Sequence, residues 1–146
     1  MVRQAERLGA RLLSGGDTEQ IGDVQFLRPT LLADVTPEMR VMQEETFGPV
    51  LPVMKVASDE EGIEQANNSR YGLTASIFTT SRSRAEQFIA AVDTGTVYVN
   101  RCNFVDARLG WIGQHYSGNG SVALAPEGLQ AFSARKSVNI DPSDLK

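Results

Sequence analysis

Leu73-Thr74-Ala75-Ser76-Ile77-Phe78-Thr79 and Thr96-Val97-Tyr98-Val99-Asn100, with a helical pattern opened by Ser81 between them, form the stretch on which the fold turns. Each end is a short apolar run rich in β-branched and aromatic residues, which favours a strand. Between them Ala85, Phe88, Ile89 and Val92 recur at i, i+3, i+4 and i+7, the spacing of one helix face. Ser81 caps that helix, and Asp93-Thr94-Gly95 turns the chain out of it. A helix between two short strands is a crossover, and crossovers join parallel strands.

The same alternation continues upstream. Val50-Leu51-Pro52-Val53-Met54-Lys55-Val56 is a mostly apolar strand. Ser58-Asp59-Glu60-Glu61 is a capping box, a serine followed three residues later by glutamate. It opens a helix with Ile63 and Ala66 on one face, ended by Asn67-Asn68 and Gly72. Residues 50–100 therefore predict an α/β chain with a parallel-stranded sheet and crossover helices. Ligands of such sheets sit beyond the carboxyl ends of the strands, where Asn100-Arg101-Cys102 falls.

The flanks are less regular. Val2, Ala5, Leu8 and Leu12 predict a helix over residues 2–14, stopped by Gly15-Gly16. Phe26-Leu27 and Thr30-Leu31-Leu32 read as extended, with Pro29 at an edge or irregular position. Thr36-Pro37-Glu38-Met39 opens a short helical turn. Residues 101–125 read mostly as loop, with Gly110, Gly113, Gly118, Gly120 and Trp111 in it. A loop that long tends to be functional. A helix begins at Pro126 and runs to Phe132, and Lys136-Ser137-Val138-Asn139-Ile140 reads as a last strand. No repeat or linker divides residues 1–146, which are expected to form a single domain.

Composition sets bounds on function. Of 146 residues, 41% are apolar and 22% charged, which suits a globular domain with a core. The net charge is −4 and no basic stripe is present, which argues against nucleic acid as a partner. No apolar run reaches the roughly 20 residues of a membrane span. The first residues, Met1-Val2-Arg3-Gln4-Ala5-Glu6-Arg7, have no signal-peptide core behind them, so a cytoplasmic location is expected. The single Cys102 allows no internal disulfide and suits a reducing compartment. With one histidine, His115, beside it, the donors for a structural zinc site are too few, and no metal site is expected.

The chemistry-bearing run is Glu44-Glu45-Thr46-Phe47-Gly48-Pro49-Val50. A carboxylate held at a Gly-Pro turn can accept hydrogen bonds from both hydroxyls of a vicinal diol. An aromatic ring two residues on can pack against a flat heterocycle. The same residues also read as a solvated turn at the mouth of a strand.

Four motifs in order resemble the NAD(P)-dependent aldehyde dehydrogenase superfamily. They are the Glu44–Val50 run; Ala66-Asn67-Asn68-Ser69-Arg70-Tyr71-Gly72-Leu73-Thr74-Ala75-Ser76-Ile77-Phe78-Thr79; Thr94-Gly95-Thr96-Val97-Tyr98-Val99-Asn100; and Gly128-Leu129-Gln130-Ala131-Phe132 leading into Lys136-Ser137-Val138. The resemblance covers nearly the whole chain and implies the C-terminal part of a longer protein, within the family's catalytic domain. It implies that Glu45 holds the nicotinamide ribose and Phe47 lies near the nicotinamide of NAD or NADP. Trp111 matches an aromatic of the aldehyde-entry tunnel, and also reads as a core tryptophan. Residues 136–141 match a strand of the oligomerisation region, an edge that would pair in a homo-oligomer, most simply a dimer.

By the same resemblance the dinucleotide-binding domain, the nucleophilic cysteine and the general-base glutamate are not in this chain. Cys102 follows the Thr96–Asn100 strand, where the family's nucleophile does not lie, so no catalytic residue is assigned. Glu44 reads as a salt-bridge or turn residue, or as a catalytic one. Gly110-Trp111-Ile112-Gly113-Gln114-His115-Tyr116-Ser117-Gly118 departs from the family's Pro-Phe-Gly-Gly-x-Lys-x-Ser-Gly, which leaves the aldehyde undetermined. The expectation is a segment of an aldehyde-oxidising enzyme, inactive alone and holding NAD or NADP weakly or not at all. Its partner would be a missing N-terminal segment. The alternative is a non-catalytic homo-oligomeric binding module derived from such an enzyme.

Overall fold

The structure, a computed structural model, describes residues 1–102, 104–141 and 143. The chain divides into two compact units, Met1–Arg70 and Tyr71–Lys146.

The first unit opens with helix α1 (Val2–Arg7), followed by strands β1 (Arg11–Ser14), β2 (Thr18–Ile21), β3 (Val24–Leu27) and β4 (Thr30–Ala33). Helix α2 (Arg40–Gln43), strand β5 (Val50–Val53) and helix α3 (Asp59–Asn67) complete it. The expected helix over 2–14 stops seven residues early. Gly9 takes φ +104°, its N–H donates to Glu6 O at 3.0 Å, and Ala10 N–H donates to Ala5 O at 2.9 Å. That pair of bonds is a Schellman cap, which a glycine in the left-handed region makes possible. Ala5 and Ala10, brought together by the cap, are both buried. The chain leaves the cap extended as β1.

β1 pairs antiparallel with β4, and β4 pairs parallel with β5, in the order β1-β4-β5. β2 and β3 form a separate hairpin across Gly22-Asp23, with Gly22 at φ +59°. A glycine of positive φ at the first loop position suits a two-residue hairpin. Thr30 N–H donates to Pro49 O at 2.7 Å and fixes the phase of the β4–β5 ladder. Residues 49, 51 and 53 then turn their polar groups toward β4, and 50 and 52 turn away. Pro52, which has no N–H, stands where that donor would have faced the open edge. β5 ends at Val53, so residues 54–56 do not continue the strand. The core of this unit is Ala5, Ala10, Leu32, Val35, Met39 and Val41, with Leu32 and Met39 almost fully excluded from solvent.

The capping box holds with a shift. Ser58 Oγ accepts from Glu61 N–H at 3.2 Å, while Glu61 Oε2 accepts from Ala57 N–H at 2.6 Å, one residue before the cap. In α3 Ile63 is half-buried, but Ala66 is exposed rather than core-facing.

The second unit holds β6 (Tyr71–Gly72), β7 (Thr74–Ile77), helix α4 (Arg82–Ala91), β8 (Thr96–Val99), β9 (Gln114–His115) and helix α5 (Ala125–Gln130). β7 and β8 are parallel, joined through α4 as the helical spacing required. Ser81 Oγ accepts from Arg84 N–H at 3.4 Å as the α4 cap. Ala85, Val92 and Tyr98 are buried, Phe88 is half-buried, and Ile89 remains 49% exposed. Gly95 is required by packing, because a Cβ there would overlap the Ile112 carbonyl oxygen.

The expected parallel sheet over residues 50–100 is thus not one ladder: β5 pairs with β4, and β7 with β8. β4, with Thr30 and Leu32 buried, lies beside β5 in the first unit. The 101–125 loop carries short pairings, β6 with β9 antiparallel and a bridge between Trp111 and Ala123. α5 spans 125–130 rather than 126–132, with Pro126 in its first turn. Residues 134–141 form no strand in the structure, since no described strand lies against them to make a ladder.

Candidate functional site

The site is built on the turn between α2 and β5. α2 has only four residues and is braced by side chains at both ends. Gln43 Nε2 donates to Pro37 O at 2.8 Å and, more loosely, to Asn68 O at 3.4 Å. Arg40 Nε donates to Glu44 Oε1 at 2.8 Å and Arg40 Nη2 to Glu44 Oε2 at 2.7 Å. The guanidinium hydrogen bond, with the fields of Arg40 and Arg70 behind it, holds the Glu44 carboxyl below the usual carboxylate range. Glu44 is therefore a salt-bridge residue, one of the two structural roles its sequence allowed.

The chain then turns outward. Glu45 is exposed, and no partner for its carboxylate occurs among the described residues. Phe47 takes φ +39° and leaves its side chain 93% exposed. A left-handed conformation is uncommon for an aromatic residue and marks a turn held by its surroundings. Gly48-Pro49 leads into β5, and an open cleft of about 510 Å³ lies beside it, walled by Pro29, Thr30, Leu31, Pro49, Val50 and Leu51. Glu45 and Phe47 thus lie on one turn, at the amino end of β5 rather than beyond a carboxyl end. The arrangement offers a diol acceptor and an open aromatic face within three residues of each other.

Trp111 lies in the second unit and is half-buried; its N–H donates to Ala123 O at 2.6 Å and its carbonyl accepts from Ala123 N–H at 2.8 Å. Cys102 is exposed, three residues past β8. The neighbouring Arg101 guanidinium lies 3.7 Å from the Phe104 ring centroid. His115 Nε2 sits 2.8 Å from Asp93 Oδ2, 22 residues away in sequence. Asn100, at φ +56°, ends β8 by bonding backbone: Thr79 N–H donates to its Oδ1 at 2.8 Å and its Nδ2 donates to Thr79 O at 2.9 Å. Among the described residues no group of three or more His, Cys, Asp and Glu could hold a metal ion, and no helix is long and apolar enough to cross a membrane.

The Arg40–Glu44 brace was not anticipated, although its i, i+4 spacing is visible in the sequence. The family model described as "Aldehyde dehydrogenase family" matches residues 1–138.

The chain belongs to the aldehyde dehydrogenase family. It is 40% identical over 139 residues to bovine "Aldehyde dehydrogenase X, mitochondrial", covering 95% of this chain and 27% of that protein. The structure of lactaldehyde dehydrogenase from Escherichia coli superposes with a TM-score of 0.84 at 40% identity, over 90% of this chain and 27% of that one. Indole-3-acetaldehyde dehydrogenase from P. syringae, solved with NAD+ and IAA, gives a TM-score of 0.88 at 33% identity, over 94% of this chain and 28% of that one. The aldehyde dehydrogenase chain described here thus spans little more than a quarter of the length of such relatives.

Proposed function

We propose that this chain is the C-terminal catalytic-domain segment of an aldehyde dehydrogenase, contributing to the NAD(P)-dependent oxidation of an aldehyde to a carboxylic acid and inactive by itself. One observation carries the reading: Glu45 and Phe47 both project into solvent from a turn whose other carboxylate, Glu44, is already engaged. These residues fit one end of a dinucleotide. The Glu45 carboxylate would accept hydrogen bonds from the two ribose hydroxyls, and the Phe47 ring would pack near the nicotinamide. Bound NAD or NADP would supply the hydride acceptor. Trp111 would line the aldehyde's approach. Nucleophile and base are assigned to no residue of this chain, and Cys102 is not the nucleophile. A single carboxylate without a phosphate-binding loop holds a dinucleotide weakly. The exposed Cys102 thiol suits a reducing, cytoplasmic location.

Calorimetric titration of NAD+ into the purified chain, with Glu45→Gln as control, tests the ribose anchor. Weak heats abolished by the substitution are expected; equal heats from both proteins would remove Glu45 from the site. Aldehyde-dependent NADH formation by the purified chain would overturn the inactivity.

A second role, assembly, is favoured by exposed apolar residues. Ile21, Val24 and Phe26 share one face of the β2–β3 hairpin and are 58%, 55% and 48% exposed, while Val138 and Ile140 are 67% and 54% exposed. A two-stranded hairpin is marginal alone, and uncovered apolar surface favours association. Residues 136–140 would gain a ladder by pairing in a homo-oligomer, most simply a two-fold dimer.

A further inference from the structure

The sequence Glu44-Glu45 sets two carboxylates side by side, where an anionic dinucleotide would be repelled by both. The structure treats them differently. Arg40 grips Glu44 with two parallel N–H···O bonds, at 2.8 and 2.7 Å, one helical turn away. The two side chains remain 54% and 35% exposed, so the pair adds little to stability, and its consequence lies in where it leaves the charge. A fork of this geometry fixes direction as well as charge, which a lysine would not do. Glu45, the next residue, has no such partner among the described residues. Gln43, between Arg40 and Glu44, ties the same segment to Pro37 O at 2.8 Å, so the grip acts on a fixed backbone.

We propose that Arg40 is a positioning residue of the cofactor site: its bidentate grip neutralises Glu44 and holds it aside, leaving Glu45 as the one carboxylate that meets the dinucleotide. The inference rests on the reading of Glu45 as the ribose acceptor. The dinucleotide carries negative phosphate charge, so an unmasked Glu44 repels it while an unmasked Glu45 is offset by two hydroxyl donors. Arg40 touches no ligand; it acts through Glu44.

The test is an NMR titration of the whole chain with NAD+, following the amides of Glu45, Phe47 and Gly48, which detects dissociation constants of roughly millimolar and above. Removing the grip with Arg40→Met is expected to weaken binding about threefold to tenfold at low salt, a loss that shrinks at about 0.5 M salt as the exposed charge is screened. Adding Glu44→Gln to Arg40→Met is expected to restore the affinity to within about twofold. A merely structural ion pair would not be rescued by removing its second partner. Unchanged affinity in Arg40→Met, or no recovery in the double variant, overturns the proposal while leaving the ribose reading intact. Unchanged binding by Glu45→Gln, or no saturable shift in the unsubstituted chain, overturns that reading and this proposal with it.

Discussion

Asn100 shows how much one side chain can fix. It is the last residue of the Thr-Val-Tyr-Val-Asn run, and its amide closes two hydrogen bonds on the backbone of Thr79 while its own φ is positive. Asparagine is among the few residues that tolerate that conformation. Asn100→Ala is expected to cost about 1–3 kcal/mol, read as a lower urea midpoint at unchanged slope. Glu44 gives a pH signature. Its folded-state pKa is depressed by Arg40, so its contribution is present above the ordinary carboxylate value and is lost as pH falls through the lower, folded one. Carboxyl carbon shifts should titrate Glu44 below the usual glutamate range, and Arg40→Met should raise its titration toward that range. The i, i+4 spacing of Arg40 and Glu44 is visible in the sequence, but their ion pair emerged only from the fold, as did the Asn100–Thr79 bonds, which span 21 residues. The His115–Asp93 contact was not legible, because 22 residues separate the partners and only the folded loop brings them together.

At the scale of elements, the β7–α4–β8 crossover was legible because its signals agree: strand composition, a serine cap, a helical apolar face and a Thr-Gly turn. The N-terminal helix was misjudged for a physical reason. Leu8 and Leu12 fit the helical spacing, but Gly9 closes the helix at lower cost than extending it, and Leu8 is left 57% exposed. Gly9→Ala should therefore destabilise the first unit by about 1 kcal/mol, since alanine is strained at that φ. Ser58→Ala should cost about 1 kcal/mol through loss of the α3 cap, whereas Ala66→Ser, at an exposed site on that helix, should fall within about 0.5 kcal/mol. Thermal unfolding of the variants separates these outcomes. The β2–β3 hairpin was hard to read because its strands, Thr18–Ile21 and Val24–Leu27, are exposed throughout and bury no apolar face.

At the scale of the molecule, the core is small and the uncovered apolar surface large. Leu32 is wholly buried and anchors the β1-β4-β5 sheet, so Leu32→Ala should cost about 2–5 kcal/mol. Several large apolar side chains lie in water, Phe47 and Phe132 above 90% exposed among them. A chain with this surface should associate, and sedimentation at micromolar concentration is expected to show a dimer or larger species; a strict monomer would remove the assembly role. Pairing of residues 136–140, as proposed, needs a second strand, and the described residues supply none. The candidate site was legible in part: Glu45 and Phe47 sit on one exposed turn as the motif implied, while the Arg40 brace and the strained Phe47 backbone emerged only from the fold. The most direct measurement is the intermolecular nuclear Overhauser effect between NAD+ and the chain. Transfer from the nicotinamide protons to the Phe47 ring and from the ribose protons to the Glu45 side chain, both lost in Glu45→Gln, is the expected result. Transfer to other residues with Phe47 silent, or transfer that survives Glu45→Gln, would contradict a cofactor-binding turn.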